Sequence, residues 1–336
     1  MRTLSTPQIT WIGIWPRGST YVNVRYYELL RRFTFVKQYR LPPFRGITRL
    51  QPVLIRLISR RYKWLFASGL NLTRWWKGSL VIDIDDPTFS AAEMAVLNKP
   101  NVKVIVTTTE RLREEFIRRG VSKPIEVIPS GFSKQNCNER LAHELTRTHN
   151  PKGYPVVGYS GSTIELQPLR PSQGDISVLA EAMERIWTVD NDIQLWLIGK
   201  ASREVAKWAI GKQQVKLFGL VPRSELLAHL KSFTVATYPR LIDHGGRFSI
   251  KLIEYMGVGI PVVATPVSET KILKEAAAGI FAKTPKEFAN AILKILQNKA
   301  QKELMAQNAL HFAAQYDWDL MAENYENQVL LRYCSQ

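Results

Sequence analysis

The sequence is poor in the residues that build disulfide frameworks and metal centres. Its 336 residues include two cysteines, Cys137 and Cys334, and five histidines. The cysteines lie far apart and outside any C-x-x-C pattern, and the histidines show no metal-ligand spacing. These features exclude a disulfide scaffold and a cysteine-rich zinc module, and they fit a reducing compartment. We therefore expect no bound metal.

Long apolar runs are absent as well. No stretch reaches the ~18 uninterrupted apolar residues that indicate a membrane span. Residues 1–10 lack an apolar core followed by a small-residue cleavage site, so we expect no export and a cytoplasmic location. At 45% hydrophobic and 22% charged residues the chain is predicted to be globular, and its length suggests two domains.

Acidic residues are few, and the basic excess is concentrated in one stretch. The chain carries 46 basic and 29 acidic residues, a formal net charge of +17. Residues 25–77 contain thirteen basic residues and one acidic residue, Glu28. A local positive field of this size attracts a polyanion: a nucleic acid, an anionic membrane surface or a phosphorylated substrate.

Short apolar strands alternate with amphipathic helices along the whole chain. This alternation predicts an α/β fold with parallel sheets covered on both faces. The pattern runs to about residue 140, gives way to a polar segment at 141–153 and then restarts. We therefore predict two doubly wound, Rossmann-like domains at 1–140 and 154–312, joined by a linker at 141–153. A helix within 313–336 is expected to pack back on the first domain.

The most informative segment is Arg247–Thr265, RFSIKLIEYMGVGIPVVAT. Ser249 suits the N-cap of a helix, and a helix N-terminus favours a diphosphate because its amide groups are unpaired. Arg247 and Lys251 flank that end and would add charge-assisted bonds to phosphate oxygens. Glu254, about one turn into the helix, suits a ribose diol. The same spacing also fits a packing helix with a solvated rim.

This segment resembles the donor-site signature of family 4 glycosyltransferases with the GT-B fold. Val156–Gly161 (VVGYSG) resembles the opening strand and glycine loop of their second domain, and Leu217–Leu230 (LFGLVPRSELLAHL) their G-x-V-x-x-x-E-L segment. Ile82–Pro87 resembles an acceptor-side strand end. The resemblance implies two Rossmann-like domains facing across a cleft. It also implies transfer of a sugar from a UDP- or GDP-linked donor, with retention and without a metal or other cofactor, to a sugar or lipid-linked acceptor.

The resemblance also assigns roles to residues. Glu254 would hold the ribose; Arg247, Ser249 and Lys251 would hold the diphosphate; Gly161 and Ser162 would line the donor loop; Asp243 and Asp86 would act as catalytic residues on the reacting sugar. One position departs from the family, because its E-x7-E motif would place a glutamate where this chain has Gly246. That departure keeps open a catalytically weak GT-B-like protein that serves binding or assembly.

Two short motifs resemble those of other enzyme classes. Gly13–Thr20 (GIWPRGST) nearly spells a phosphate-binding P-loop, but Ser19 stands where the lysine is needed, so that interpretation fails. Arg17, Gly18 and Ser19 remain candidates for a loop lining the cleft. The acids of Asp83–Pro87 resemble the start of a haloacid-dehalogenase-type phosphatase, but Pro87 breaks that motif. A plain turn-and-cap role for these acids also stays open.

Aromatic residues are interleaved with the basic stretch. On a predicted helix from Val53 to Phe66 the cations share one face, and cations beside aromatics suit an anionic bilayer surface. We predict peripheral attachment to the inner face of the plasma membrane. A basic nucleic-acid-binding protein is the alternative, but none of its motifs is present, so we expect no nucleic acid partner. The predicted membrane-facing residues are Arg56, Arg60, Lys63, Trp64, Trp75 and Trp76.

Overall fold

The structure is a computed structural model that describes residues 9–14, 24–34, 36–41, 51–68, 73, 76–133, 137–167, 174–243 and 245–334. The chain divides into two compact units. Unit 1 comprises Met1–Gly131, Gly245–Phe248 and Trp318–Gln336, and unit 2 comprises Phe132–His244 and Ser249–Asp317. The predicted α/β class with two Rossmann-like domains is confirmed.

Unit 1 alternates strands and helices around one parallel sheet. Its described strands pair in the order β2-β1-β3-β4-β5-β6. The elements in chain order are β1 Ile9–Ile14, α1 Val24–Arg32, β2 Val36–Leu41, α2 Gln51–Arg61, β3 Trp64–Ser68, β4 Ser79–Asp83, α3 Ala91–Leu97, β5 Val102–Thr107, α4 Glu110–Arg118 and β6 Ile125–Val127.

Both faces of this sheet are buried, because successive residues of a strand point to opposite sides. Phe66 and Val81 pack on one side with α1 and the C-terminal helix, residues 318–334. Leu65 and Leu80 pack on the other side with residues of α2 and α4. The near-continuous apolar strands of the sequence are thus explained by two covering layers.

The C-terminal helix belongs to unit 1 and completes one of its cores. Trp318 and Tyr325 are fully buried there. The ring of Tyr325 lies 5.2 Å from that of Phe33 and 5.7 Å from that of Phe66, measured between centroids. The helix was predicted to pack on the first domain, and its residues from Trp318 onward lie in unit 1.

Unit 2 repeats the architecture with a sheet ordered β12-β11-β10-β7-β8-β9 in the described residues. Every described pair of neighbouring strands is parallel. The elements are α5 Glu139–His149, β7 Val156–Ile164, α6 Ser177–Trp187, β8 Gln194–Ala201, α7 Arg203–Ala209, β9 Val215–Gly219, α8 Arg223–Lys231, β10 Val235–Tyr238, α9 Ile250–Gly257, β11 Val262–Ala264, α10 Lys271–Glu275, β12 Gly279–Phe281, α11 Pro285–Gln297 and α12 Lys299–Ala314.

Two segments differ from the sequence prediction. The segment predicted as a linker, 141–153, is mostly the helix α5, which Asn138 caps through a bond from the Leu141 amide, and it lies in unit 2. The helix predicted from Val53 to Phe66 ends at Arg61, and Trp64–Ser68 form the central strand β3. Only Tyr62 and Lys63 separate the helix from the strand, and neither is a glycine or a proline that would mark a boundary. Periodicity alone therefore assigns the strand to the helix.

Candidate functional site

Helix α9 and its N-cap carry three of the six predicted donor-binding residues, Ser249, Lys251 and Glu254. Ser249 is its N-cap, as predicted, but the Ser249 side chain does not accept a bond from the first turn. Leu252 and Met256 are buried, which fixes the helix against the unit 2 core. A Cβ added at Gly257 would lie 2.3 Å from the Phe132 ring, so the glycine permits close packing at the helix end.

Tyr255 ties this helix to the end of strand β7. Its hydroxyl accepts a hydrogen bond from the Ser160 amide at 2.9 Å. Burial raises the pKa of the Tyr255 phenol above its ordinary value, so it stays protonated. Tyr255 therefore holds α9 against β7 of the parallel sheet of unit 2.

Glu254 is a buried carboxylate on α9. It is 2% exposed and forms an ion pair with Arg223 at the start of α8. A buried carboxylate needs such a counter-charge, because removal from water penalises the ionised form. The pair holds the carboxylate in one orientation within unit 2.

A small pocket lies beside β7, the first turn of α9 and the carboxyl end of β10, the type of strand end where ligands bind in parallel sheets. The Lys251 amine lies 3.5 Å from the Tyr159 hydroxyl and 5.1 Å from the centre of that ring. Burial, and after it the charge of Arg240, lowers the pKa of Lys251 to about 8. The residues that line this pocket are Tyr159, Asp175, Tyr238, Pro239, Arg240 and Lys251.

The predicted donor loop is close to the same pocket. Gly161 follows Tyr159 in β7, and a Cβ at Gly161 would lie 3.0 Å from the Tyr159 hydroxyl. Ser162 is exposed at the next position. Gly161 and Ser162 lie within β7, close to Tyr159 of the pocket, and their role in donor binding stays a prediction.

Sequence reasoning missed four side chains of the pocket: Tyr159, Asp175, Tyr238 and Arg240. A signal for two of them was present, because Tyr159 and Tyr238 stand at or near the carboxyl ends of strands that the sequence did predict. Side chains at those ends face ligand sites in parallel sheets. Asp175 precedes α6 and is brought to the pocket by tertiary structure alone.

Asp243, predicted to act on the reacting sugar, is exposed and engaged by a neighbouring turn. Its two carboxylate oxygens accept bonds from the Ser268 amide at 3.1 Å and the Ser268 hydroxyl at 2.5 Å. These bonds satisfy the start of the short 3-10 helix Ser268–Thr270. The catalytic role of Asp243 stays a prediction.

Asp86 and Arg247 pair within unit 1. The Arg247 guanidinium contacts the exposed Asp86 carboxylate and donates to the carbonyl of Pro87 at 2.5 Å. Arg247 belongs to the segment Gly245–Phe248, which is also fixed by a 2.7 Å bond from the Thr109 hydroxyl to the Gly246 carbonyl. Arg247 was predicted to flank a diphosphate, and in this structure its charge is matched by Asp86.

Asp83, the first acid of the predicted acidic cluster, faces the interior of unit 1. It forms a bidentate ion pair with Arg25, with both N–O distances at 2.8 Å and both side chains fully buried. Arg25 also donates to the carbonyl of Pro129 at 2.9 Å. Asp83 therefore holds α1 and the end of β4 together.

The residues predicted to face a membrane separate into two groups. Arg56, Arg60 and Lys63 are exposed. Trp64 and Trp76 are 6% and 3% exposed, so their prediction as membrane-facing is wrong. Trp64 belongs to the central strand β3 and packs in the core beneath α1, and Trp76 packs in the core on the other side of the sheet. Trp75 and the cleft-loop residues Arg17, Gly18 and Ser19 lie outside the described residues.

Sequence comparison matches part of the chain to one family model. Residues 160–298, all in unit 2 except Gly245–Phe248, match the family model described as "Glycosyl transferases group 1". No curated protein sequence matches the chain.

Solved structures match nearly the whole chain. The Anabaena protein Alr3699/HepE, solved with UDP-glucose, is 15% identical with a TM-score of 0.70, covering 96% of this chain and 98% of that chain. Sucrose-phosphate synthase (tll1590) from Thermosynechococcus elongatus is 15% identical with a TM-score of 0.69, covering 98% and 100%. WaaG, a glycosyltransferase involved in lipopolysaccharide biosynthesis, is 14% identical with a TM-score of 0.67, covering 96% and 99%.

At these identities the structural likeness shows the fold, and the predicted GT-B fold is confirmed. Residues 160–298 match the predicted glycosyltransferase family.

Proposed function

We propose that this glycosyltransferase moves a sugar from a nucleotide diphosphate donor to an acceptor with retention of anomeric configuration, and that the donor is UDP-linked. One observation carries the donor assignment. The N-terminus of α9, Lys251 and the buried Glu254 lie together in the segment that matches the family. UDP is favoured over GDP because the similar Anabaena protein was solved with UDP-glucose.

The donor's charged part suits the first turn of α9. The unpaired amides of that turn and the Lys251 ammonium group favour a diphosphate. Such protein groups stabilise a leaving diphosphate without a metal. We therefore propose metal-independent transfer, for which UDP affinity should be the same in EDTA and in magnesium.

Glu254 is proposed to grip the ribose diol. Its carboxylate is buried and oriented by Arg223, so it can accept two hydroxyl bonds in a fixed geometry.

The test of this assignment is calorimetric titration of UDP into Glu254→Gln, with Glu204→Gln as the control because Glu204 is an exposed glutamate of the same unit. We expect Glu254→Gln to lower UDP affinity about tenfold to hundredfold, which corresponds to the loss of a hydrogen bond to a charged group. Equal affinity in the two variants would refute the ribose role.

Asp243 and Asp86 are proposed to contact the reacting sugars. Both are exposed carboxylates at loop ends, Asp243 in unit 2 and Asp86 in unit 1. Asp243→Asn and Asp86→Asn should each lower kcat for transfer with little change in UDP affinity. The anomeric configuration of the product, read by proton NMR, tests retention, and an inverted product would contradict it.

Peripheral membrane attachment is proposed through α2. Val53, Arg56, Leu57 and Arg60 are exposed, and their spacing places all four on one face of this helix. An exposed face that combines apolar and cationic side chains suits an anionic bilayer surface and, with it, a lipid-linked acceptor. Among the helices of the described ranges, none has the length and apolar character that crossing a membrane requires.

Vesicle cosedimentation tests this surface. We expect Arg56→Gln/Arg60→Gln to reduce binding to vesicles with anionic lipid, since each cation contributes ~1 kcal/mol. Lys152→Gln/Lys299→Gln, which removes two exposed cations of unit 2, is the matched control. Binding that is insensitive to α2 neutralisation and to salt would contradict the proposal, and binding to oligonucleotides but not to vesicles would favour a nucleic-acid role.

A catalytically weak binding protein is the second candidate, and Gly246 favours it because the motif glutamate is missing. Transfer and donor-hydrolysis assays separate the two. Nucleotide binding without turnover by any acceptor class would support the second candidate.

A further inference from the structure

The pocket beside α9 holds a buried carboxylate whose role the donor assignments above leave unexplained. Asp175 is 2% exposed and lines the pocket with Lys251 and Arg240. Its Oδ1 atom accepts bonds from the Ser177 amide at 2.9 Å and the Ser177 hydroxyl at 2.5 Å. Its Oδ2 atom is buried and has no hydrogen-bond partner. A buried carboxylate oxygen without a donor is costly, so it points to a ligand that supplies one.

The backbone around Asp175 is rigid. Asp175 pairs with Glu165 in a β-bridge, and the Ile176 amide donates to the Glu165 carbonyl at 2.9 Å. A Cβ at Gly174 would lie 2.5 Å from the Thr163 carbonyl oxygen, so this segment lies tight against the end of β7. The orientation of Oδ2 is therefore fixed before any ligand arrives, which lowers the cost of binding.

Two cations face the same pocket. Lys251 lies beside the Tyr159 hydroxyl at 3.5 Å, and Arg240 donates to Glu269 at 3.3 Å while its Nε atom is buried without a partner. Burial, and after it the charge of Arg240, lowers the pKa of Lys251, and a bound anion would offset the effect of that charge. Phosphate is the anion that such a pair of side chains binds well.

The two cations and the unpaired carboxylate oxygen together indicate the chemistry of the ligand. Cations alone would fit any phosphate, but an unpaired carboxylate oxygen repels phosphate and accepts a bond from a hydroxyl group. The ligand must therefore carry a phosphate and a hydroxylated group next to it. A sugar attached to a phosphate has both.

We propose that Arg240 and Lys251 hold the sugar-linked phosphate of the donor and that Asp175 Oδ2 accepts a hydrogen bond from a hydroxyl of the transferred sugar. Asp175 is then a specificity-determining residue, because it contacts the sugar and not the nucleotide. This inference rests on the proposed function, since it places the donor in this pocket.

The test compares UDP with UDP-glucose by calorimetry in wild type and Asp175→Asn. Asparagine keeps the shape and one oxygen for Ser177 but removes the charge and the second acceptor. We expect UDP affinity to stay unchanged and UDP-glucose affinity to fall about tenfold, the loss typical of one bond to a charged group. Ser177→Ala is the matched control, because it removes the hydroxyl bond to Oδ1 and leaves Oδ2 untouched.

The outcomes separate this inference from the proposed function. Wild-type protein that binds neither UDP nor UDP-glucose would refute the UDP-linked donor itself. Wild-type binding of UDP-glucose with equal affinity in Asp175→Asn would overturn the sugar contact alone. Equal losses for UDP and UDP-glucose, or equal losses in Ser177→Ala and Asp175→Asn, would show that Asp175 only maintains local structure and would also overturn it.

The phosphate half of the inference has its own measurement. UMP lacks the second phosphate that UDP carries, so Arg240→Gln should weaken UDP about tenfold and leave UMP unchanged. Equal weakening of UMP and UDP would assign Arg240 a structural role through Glu269 and overturn its phosphate contact.

Discussion

Gly246 occupies the position where the family motif would place a glutamate, and its backbone accounts for the difference. Its φ is +81°, and that of Gly245 is +73°. A Cβ at Gly246 would lie 2.4 Å from Cδ of Arg111. Glycine adopts this left-handed conformation without the penalty that a side chain imposes.

We predict that Gly246→Glu destabilises unit 1 by about 1–2 kcal/mol, the cost of a side chain in the left-handed region, and does not improve transfer. Gly120→Glu is the matched control, because Gly120 has a φ of +87° in the same unit with no atom within 4 Å of an added Cβ. Urea denaturation should show a loss for both and a larger one for Gly246→Glu. A variant that retained its stability and gained activity would contradict this account.

Lys251 gives donor binding a pH dependence. Its pKa of about 8 means that the ammonium form is lost as pH rises through 8, and phosphate binds that form. UDP affinity should therefore fall by up to about tenfold per pH unit above pH 8, and binding there should take up a proton. Calorimetry in buffers of different ionisation enthalpy measures the uptake.

Lys251→Arg is the control for this pH dependence, because arginine stays protonated throughout the range. Its UDP affinity should be flat between pH 7 and 9, below the range in which the uracil ring of UDP loses its proton. A fall of the same steepness in the variant would show that Lys251 is not the titrating group.

At the scale of elements, a buried ion pair joins helix α1 to strand β4 and the C-terminal helix. Arg25 pairs with Asp83, and its guanidinium lies 6.0 Å from the centre of the Tyr325 ring. Removing one partner of a buried pair leaves a charge without compensation, which costs more than the pair itself contributes. The residue that anchors α1 therefore also stabilises the packing of the chain's last helix.

We predict that Asp83→Asn lowers the free energy of unfolding of unit 1 by about 3–5 kcal/mol. Asp319→Asn is the control, since Asp319 pairs with Arg32 between α1 and the C-terminal helix but is 63% exposed. That substitution should cost less than about 1 kcal/mol. Comparable losses of unfolding free energy in the two variants would show that burial does not determine how much each ion pair stabilises unit 1.

At the scale of the whole molecule, each unit has its own core. A bound ligand should therefore stabilise mainly the unit that binds it. The proposed donor residues on α9 lie in unit 2, so we predict that the nucleotide binds there. UDP at about 100 times its Kd should add ~2.7 kcal/mol to the unit that binds it. Differential scanning calorimetry reports this as a rise in Tm.

Core variants identify the transition that shifts. Ile292→Ala marks unit 2 and Leu80→Ala marks unit 1, because both side chains are fully buried and their truncation costs about 2–5 kcal/mol. We predict that UDP raises the Tm of the transition that Ile292→Ala lowers. A UDP shift confined to the transition that Leu80→Ala lowers would place the nucleotide in unit 1 and contradict the assignment.

Sequence reasoning was most successful where a pattern is local. Alternating strands and helices predicted the parallel sheets, and Ser249 marked the start of α9. Sequence reasoning failed where no glycine or proline separates neighbouring elements. Trp64 looked like the end of a basic helix because aromatic and basic residues interleave there, but it lies in a central strand.

The proposed donor site shows the same division. Lys251, Gly161 and Glu254 could be predicted from the sequence because each has a fixed spacing from a strand or a helix cap. Tyr159 and Tyr238 could have been found by extending that rule to every strand end. Asp175 and Arg240 could not, because chain spacing carries no information on which loop meets which strand.

The sequence by itself determined the α/β class, the family segment and the position of helix α9, because periodicity, capping and turn residues act over a few positions. Only the tertiary structure decided that Asp83 faces Arg25 in a core, that Asp175 lines the pocket with one buried oxygen unpaired and that Gly246 needs its left-handed backbone. Those outcomes depend on contacts between residues far apart in the chain, whose burial and pairing are set by packing.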